Sequence, residues 1–439
     1  MFYYIFFLHY IHNIHNIHNI YINKWINKLY MSFNNQLLEK YNVKLFSIEY
    51  TTYDIINDFL KNNQSEQPFY IIDLGEIIKS YEKWVANFPN IKPYYAVKCN
   101  PNPVILDLLT CLGTYFDCAS ENEIKSVIEY TNDPDKIIFA NPCKMSSQIK
   151  YARANDVDMM TFDCEEELYK IKLYHPYSKL LLRLAVDDSN SVCQFNSKFG
   201  CKLENIEKLF TLMNTLKLNL VGFSFHVGSG CRSLDNYYNA IKACRDAYDI
   251  AIENNIKINI IDIGGGFPGI YSENHINIEQ IAETINKAQR DFFSKEIDED
   301  LIKFIAEPGR YFVEKSHILV LNVIGKKREQ YINKDTGKSE EIIIYYLNDG
   351  VYGSFNCIYF DHNTPIIQPF NERNEKVLYK SKIFGPTCDS MDLIANEVML
   401  PELVVGEWVY VENFGAYTTA ASSSFNGFIT TDYKYILRN

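Results

Sequence analysis

Short apolar runs recur from about residue 70 to residue 310, separated by stretches whose apolar residues return every three or four positions. The runs YYAV (94–97), TYF (114–116), KIIFA (136–140), MMTF (159–162), LLLRLA (180–185), LVGFSFH (220–226), INIIDI (258–263) and IKFIA (302–306) predict eight strands. Between them, ENEIKSVIEY and IEQIAETINKAQRDFF have the periodicity of helices docked by one face. Alternating strands and helices build a parallel sheet, and eight strands predict a closed (β/α)₈ barrel of the α/β class. After Arg310 the pattern changes: HILVLNVIG, EIIIYYLND and EWVYVENFGAYTT are strand-like and joined by polar turns such as NKDTGKSEE, which predicts a second, mostly β domain. The expected division is a leader over 1–35, an N-terminal segment over 36–73, the barrel over 74–312 and the β domain over 313–439. Pattern alone leaves 36–73 open between the two domains; it is assigned to the β domain.

Barrels of this kind carry their chemistry at the carboxyl ends of the strands. Those ends hold Lys98, Asp117, Asn141, Asp163, His226, the glycines 264–266 and Glu307, with Arg183 inside the fifth run. Ionisable and anion-cradling residues therefore collect at one rim.

Composition narrows the partners. Of 439 residues, 47% are hydrophobic and 22% charged, the balance of a soluble globular protein. Forty-three basic against 55 acidic side chains leave a net charge of -12, which repels nucleic acid and anionic lipid. Eleven cysteines without paired short spacings read as reduced thiols of a cytoplasmic protein. The opening MFYYIFFLHY lacks a signal's positive charges and is too short to span a bilayer. IHNIHNIHNI spaces His9, His12, His15 and His18 by three, yet no carboxylate or cysteine joins the imidazoles; it reads as a disordered, compositionally biased tract, and no metal is expected. The composition shift at Met31 points to that residue as the working start.

At the rim, Lys98 ends the apolar run PYYAVK, where desolvation is expected to lower its pKa and free the amine for Schiff-base chemistry. A lysine that merely snorkels to the rim would look the same. DIGGGFPG (262–269) removes three side chains so that backbone N–H groups can cradle an anion such as phosphate. FHVGSG (225–230) adds His226 and Ser229 on a second glycine-rich loop. AEPGRYF (306–312) offers Glu307 and Arg310 around a Pro-Gly turn. CDS (388–390) presents one thiol and one carboxylate, while Ser120 and Glu123 have the spacing of a helix capping box, which marks Glu123 as structural.

The motifs PYYAVKCN, FDCASENEI, ANPCK, SFHVGSGC, DIGGGFPG, AEPGRY, NDGVYGSFN, FGPTCDSMD, GAYT and FNGF stand in an order and spacing that resemble eukaryotic ornithine decarboxylase, over roughly residues 40–430. The resemblance implies a pyridoxal 5′-phosphate enzyme with an alanine-racemase-like barrel, a C-terminal β-sandwich or β-barrel domain, and a homodimer with shared active sites. It implies that Lys98 carries the cofactor, His226 stacks on its ring and Glu307 pairs with the ring nitrogen. Ser229, Gly265, Gly266, Arg310 and Tyr417 would surround the phosphate, with Asp117 and Arg183 in support. Phe360, Asp361 and Asp389 would receive the substrate's distal ammonium, and Cys388 would return a proton to Cα; Cys388 and Asp389 would come from the partner chain. Animal members often have tyrosine where Phe360 stands, and the chain ends soon after FNGF, so tail-driven proteolysis is not expected.

The implied reaction converts L-ornithine to putrescine and carbon dioxide, the first step of polyamine synthesis. Two other readings compete. A decarboxylase for lysine or another basic amino acid has the same fold, and one methylene is worth only about 1–3 kcal/mol of discrimination. A catalytically inactive protein like the antizyme inhibitors would keep the fold and lose the site. An antizyme-type regulator is a further partner that the resemblance implies.

Overall fold

The computed structural model describes residues 37–61, 65–270, 276–332, 337–371, 377–429 and 432–438. The leader, with its histidine repeat and Met31, lies outside the described residues.

Each of the eight apolar runs overlaps a strand: β1 Ile91–Ala96, β2 Tyr115–Cys118, β3 Ile137–Phe139, β4 Met159–Phe162, β5 Lys179–Arg183, β6 Asn219–Ser224, β7 Ile260–Asp262 and β8 Lys303–Ala306. All pair in parallel and form a closed barrel, with Ile305 of β8 opposite Lys92 of β1 where the last strand meets the first. Tyr94, Ile138, Leu181, Val221 and Ile305 fill its interior, each worth about 1.5–3 kcal/mol of apolar burial.

Several strands stop before their apolar runs do. β1 ends at Ala96, so Lys98 sits on a single 3-10 turn, Val97–Cys99, and β6 ends at Ser224, leaving His226 in the loop beyond. An apolar run records burial, whereas a strand needs a neighbour to pair with; the Ala96 N–H already bonds the Pro308 carbonyl in a turn, at 3.2 Å. A short antiparallel ribbon, Ser191–Cys193 with Ser229–Cys231, has no counterpart in the predicted elements and ties the loop after β5 to the loop that carries Ser229. The helix after β2 begins at the predicted Ser120 cap, but the reciprocal bond of a capping box goes to the residue before it. Ser120 Oγ accepts from the Glu123 N–H at 3.3 Å, while Glu123 Oε2 accepts from the Ala119 N–H at 2.6 Å.

The remaining strands form one nine-stranded sheet. The strand Phe69–Asp73 lies within it, antiparallel to His317–Ile332 and parallel to Asp432–Arg438, with Lys44–Phe46 at the edge. Two hydrogen bonds fasten a loop that follows this sheet onto the Lys98 turn: Tyr417 N–H to the Cys99 carbonyl at 3.0 Å, and Asn100 Nδ2 to the Gly415 carbonyl at 2.9 Å. Tyr417 thereby reaches the barrel rim. Among the described residues no helix is long and apolar enough to cross a membrane.

Candidate active site

Lys98 extends from its turn with the side chain 43% exposed, and Nζ donates to Asp117 Oδ2 at 2.6 Å. Asp117 lies on β2 beside Ala96 of β1 and is buried. Burial opposes the charge on Nζ, yet Asp117, then Glu307 and Tyr417, outweigh it and hold the lysine above its ordinary pKa. The desolvation expected from the apolar run is therefore corrected: a strand sequence does not reveal the carboxylates that neighbouring strands bring to its end.

Glu307 follows β8 and Asp262 ends β7. Asp262 is buried and Glu307 half-buried, and desolvation and then the charge of Asp262 raise the proton affinity of Glu307, so the pair retains one proton between them. Burial pushes both upward, Asp262 to about 7 even though its Oδ1 accepts from the Gly264 N–H at 2.9 Å. Sequence reasoning did not single out Asp262, which stands inside the strand run INIIDI with no local sign of the carboxylate it meets. Arg183, at the end of β5, lies over the Phe199 ring at 5.2 Å, and among the described residues its buried Nε and Nη2 have no partner, nor does Asp117 Oδ1. Burial holds this guanidinium below its ordinary pKa, against the pull of Glu307, Asp163 and other acids.

Opposite the acids is a cradle of small residues. Gly264 and Gly266 have φ of +61° and +98°; a Cβ on Gly264 would fall 2.1 Å from the Phe225 carbonyl oxygen, and one on Gly266 would fall 2.7 Å from that of Gly228. Ser229 Oγ accepts from Arg310 Nη2 at 2.9 Å and from Nε at 3.2 Å. The same guanidinium binds Glu314 at 3.1 Å and Asp361 at 2.7 Å, and lies over the Tyr417 ring at 5.0 Å. His226 is half-buried, and its pKa is far below the ordinary value because of desolvation first, then Arg183 and Lys98. Its Nδ1 accepts from the Gly228 N–H at 2.9 Å, so the neutral ring carries its proton on Nε2, with Phe195 edge-on at 4.9 Å.

Lys98, His226, Ser229, Gly265, Gly266, Glu307, Arg310 and Tyr417 thus line one pocket, with Asp117 against the lysine and Arg183 near Glu307 and Asp117. Asp361 touches the site through Arg310. Phe360 beside it is 71% exposed. Cys388 and Asp389 do not line the Lys98 pocket of their own chain; they stand on the loop between strands Tyr379–Phe384 and Leu393–Leu400. There the Cys388 N–H donates to Asn426 Oδ1 at 3.0 Å, while the Met391 N–H and the Tyr352 hydroxyl hold Asp389 below the ordinary carboxylate range.

The pocket fits pyridoxal phosphate on its own chemistry. A dianion suits Arg310, the Ser229 hydroxyl and a glycine loop whose Cβ positions are already filled by backbone. An aldehyde suits the one lysine of the pocket, and a basic ring nitrogen suits a carboxyl group that already holds a shared proton.

A family described as pyridoxal-dependent decarboxylase, pyridoxal binding domain, matches residues 74–314. Ornithine decarboxylase of Rattus norvegicus is 41% identical over 408 residues, covering 91% of this chain and 87% of that protein. Antizyme inhibitor 2 of Xenopus laevis is 43% identical over 389 residues, covering 88% and 84%. Among solved structures, the arginine decarboxylase of Paramecium bursaria Chlorella virus superposes with a TM-score of 0.80 at 35% identity, covering 88% of this chain and all of that one. With its closed barrel, its separate sheet and a pocket suited to the cofactor, the chain belongs to the pyridoxal-dependent decarboxylases.

Proposed function

We propose that this protein decarboxylates L-ornithine to putrescine and carbon dioxide in the cytoplasm, as a homodimer whose two active sites each draw residues from both chains. The observation that carries the reading is the accessible Lys98 ammonium, bonded to buried Asp117 within a pocket that also holds an anion cradle and Glu307.

When bound, pyridoxal phosphate supplies a ring that accepts the electron pair left on Cα as carbon dioxide departs. The protein's part is orientation and proton control. Asp117 Oδ2 is within 2.6 Å to take the proton that Lys98 must lose before its nitrogen can form a bond. Arg310, Ser229, Gly265 and Gly266 would hold the phosphate, and Tyr417 would wall it. Glu307 would hand the proton it shares with Asp262 to the ring nitrogen and then stabilise the charge there. A neutral His226 would press one face of the ring without adding a competing cation, and Arg183 would sustain the negative charge of the acids around it.

Asp361 and Asp389 favour a substrate with a distal cation, with Phe360 beside its methylenes. Asp361 is now held by Arg310 at 2.7 Å; a phosphate on Arg310 would compete for that contact and release the carboxylate toward the substrate. Cys388 of the partner subunit would return a proton to Cα from its thiol. Asp389, from the same partner loop, sets the second anion at the far end of the substrate. Lysine differs by one methylene, so weak turnover of lysine is part of the reading. An inactive, antizyme-inhibitor-like role is disfavoured because Lys98, Glu307, Cys388 and Asp389 all retain competent side chains; an antizyme-type regulator remains compatible with either.

The test is release of labelled carbon dioxide from carboxyl-labelled ornithine, lysine, arginine and diaminopimelate by the purified chain with pyridoxal phosphate. Ornithine is expected to give the highest kcat/KM. Preference for arginine or diaminopimelate would reject the substrate assignment, and no turnover with no visible absorbance band would reject the enzyme.

A further inference from the structure

The barrel is also open at the end remote from Lys98. Between helices Leu74–Asn87 and Ile278–Asp298, at the amino-terminal ends of β1 and β8, lies a cavity of about 690 Å³. Its wall is aromatic and aliphatic, including Trp84, Phe88, Ile91, Tyr115, Ile297 and Phe304. That volume falls within the range of about 300–1,000 Å³ usual for small-molecule sites. A cavity at the foot of a barrel can be a mere packing gap, and its polar groups are what distinguish this one.

Two polar side chains on its wall are more than nine-tenths buried, Tyr94 at 4% exposure and Gln289 at 8%. Among the described residues neither the Tyr94 hydroxyl nor the Gln289 amide has a hydrogen-bond partner. The residues are buried but their polar atoms still reach the open cavity, where they can meet a ligand that brings its own donors and acceptors.

The mouth is cationic. Lys92 stands two residues before Tyr94, and Lys303 two before Ile305, so both share the inward face of their strands. Both line the cavity and neither forms an ion pair among the described residues; Lys92 donates only to the Gly113 carbonyl, at 3.3 Å, and lies over the Tyr115 ring at 4.8 Å. Lys136 and Lys179 precede the inward-facing Ile138 and Leu181 in the same way, but Asp133 at 3.6 Å and Asp135 at 3.2 Å neutralise them. Asp300 is the one carboxylate of the lining, against two unpaired ammonium groups.

We propose that this cavity is a second ligand site, for a small aromatic carboxylate. Its ring would occupy the apolar wall between the two helices, its polar substituents would meet Tyr94 and Gln289, and its carboxylate would lie between Lys92 and Lys303. The site is separate from the decarboxylase pocket at the opposite end of the barrel and does not rest on the choice of amino-acid substrate.

The probe is 2-naphthoate, titrated into the pyridoxal-phosphate-loaded full chain by calorimetry, with saturation-transfer NMR to confirm ring contact. One saturable site per chain is expected, unaffected by excess putrescine. Lys92→Glu combined with Lys303→Glu should weaken binding by roughly tenfold or more, and neutral 2-naphthamide should bind the wild-type chain more weakly by a similar factor. Val85→Trp, which fills the cavity, should abolish binding while ornithine turnover persists. If the tryptophan variant does not fold, the exposed lysine pair still decides the matter. Absence of saturable binding, equal affinity in the double lysine variant, or displacement by putrescine would each overturn the site.

Discussion

Lys98 and Lys144 both follow strands of the barrel and both meet a buried carboxylate, Asp117 at 2.6 Å in one case and Glu167 at 2.9 Å in the other. The surroundings then diverge. Lys144 is wholly enclosed, and its three ammonium protons face the Thr161 carbonyl at 2.5 Å, the Asn141 carbonyl at 3.2 Å and Glu167. Glu167 is shared with Lys170, at 2.5 Å. Lys98 bonds Asp117 alone and keeps the rest of its ammonium in the open pocket. Their proton affinities diverge in the direction opposite to intuition. Burial lowers the pKa of Lys144 despite Glu167, whereas Lys98 is raised because Asp117, Glu307 and Tyr417 overcome its desolvation. The lowered pKa that PYYAVK suggests belongs instead to the lysine of ANPCK. A reactive lysine here is thus distinguished by unfilled space and a single proton acceptor; burial alone makes the other one a structural cross-link.

The comparison breaks most visibly at Lys98→Ala. Decarboxylation should fall to the background rate and the visible absorbance of the loaded enzyme should vanish, while Lys144→Met, wherever it remains folded, should keep both. Activity surviving in the first variant and lost in a folded form of the second would exchange the two roles.

Stability is expected to follow the same order. Lys144→Met leaves Glu167 buried with Lys170 still beside it, whereas Lys98→Met leaves buried Asp117 with no bonded cation, a loss that typically costs about 3–5 kcal/mol, so Lys98→Met should cost the more. Urea unfolding of the cofactor-free chains measures both, and equal losses would erase the distinction.

Asp262 sharpens the account of the charge around Lys98. Its folded pKa, about 7, lies above the unfolded carboxylate value of about 4, so the folded chain binds the extra proton between those limits. Its contribution is therefore most favourable at low pH and declines as pH rises from about 4 to about 7. In the cofactor-free protein, Asp262→Asn should flatten that decline in a calorimetric melting series; an unchanged slope would show that the shared proton does not sit on this pair.

The smallest effect concerns substrate affinity at the open end of the site. Asp389→Ala should raise KM for ornithine by roughly 10- to 150-fold, the equivalent of one charge-assisted hydrogen bond of about 1.5–3 kcal/mol, with kcat less affected. Proportional falls in kcat for ornithine and for an analogue without the distal amine would assign Asp389 to folding or dimer contact.

Much of this was readable from the chain. The eight apolar runs each overlap a barrel strand because a strand buried on both faces must be locally apolar, and Ser120 caps its helix because capping involves only three consecutive residues beyond it. The motif set also selected Lys98, His226, Ser229, Gly265, Gly266, Glu307, Arg310 and Tyr417, which meet in one pocket. What local pattern could not supply was the contact between strands. Asp262 was one polar residue in the strand run INIIDI until β7 and β8 brought it beside Glu307, and the Ser191–Cys193 ribbon had no signal of its own until Ser229–Cys231 lay beside it.

The amino-acid sequence by itself determined the barrel, the mostly β second part and the inventory of reactive groups, since hydrophobic periodicity and glycine-rich turns act over a few residues. Tertiary structure alone decided which lysine has room to react, where its proton goes and which end of the barrel offers unpaired polar groups. Those properties arise from electrostatics and packing among side chains on different strands, and their distances exist only once the barrel has closed.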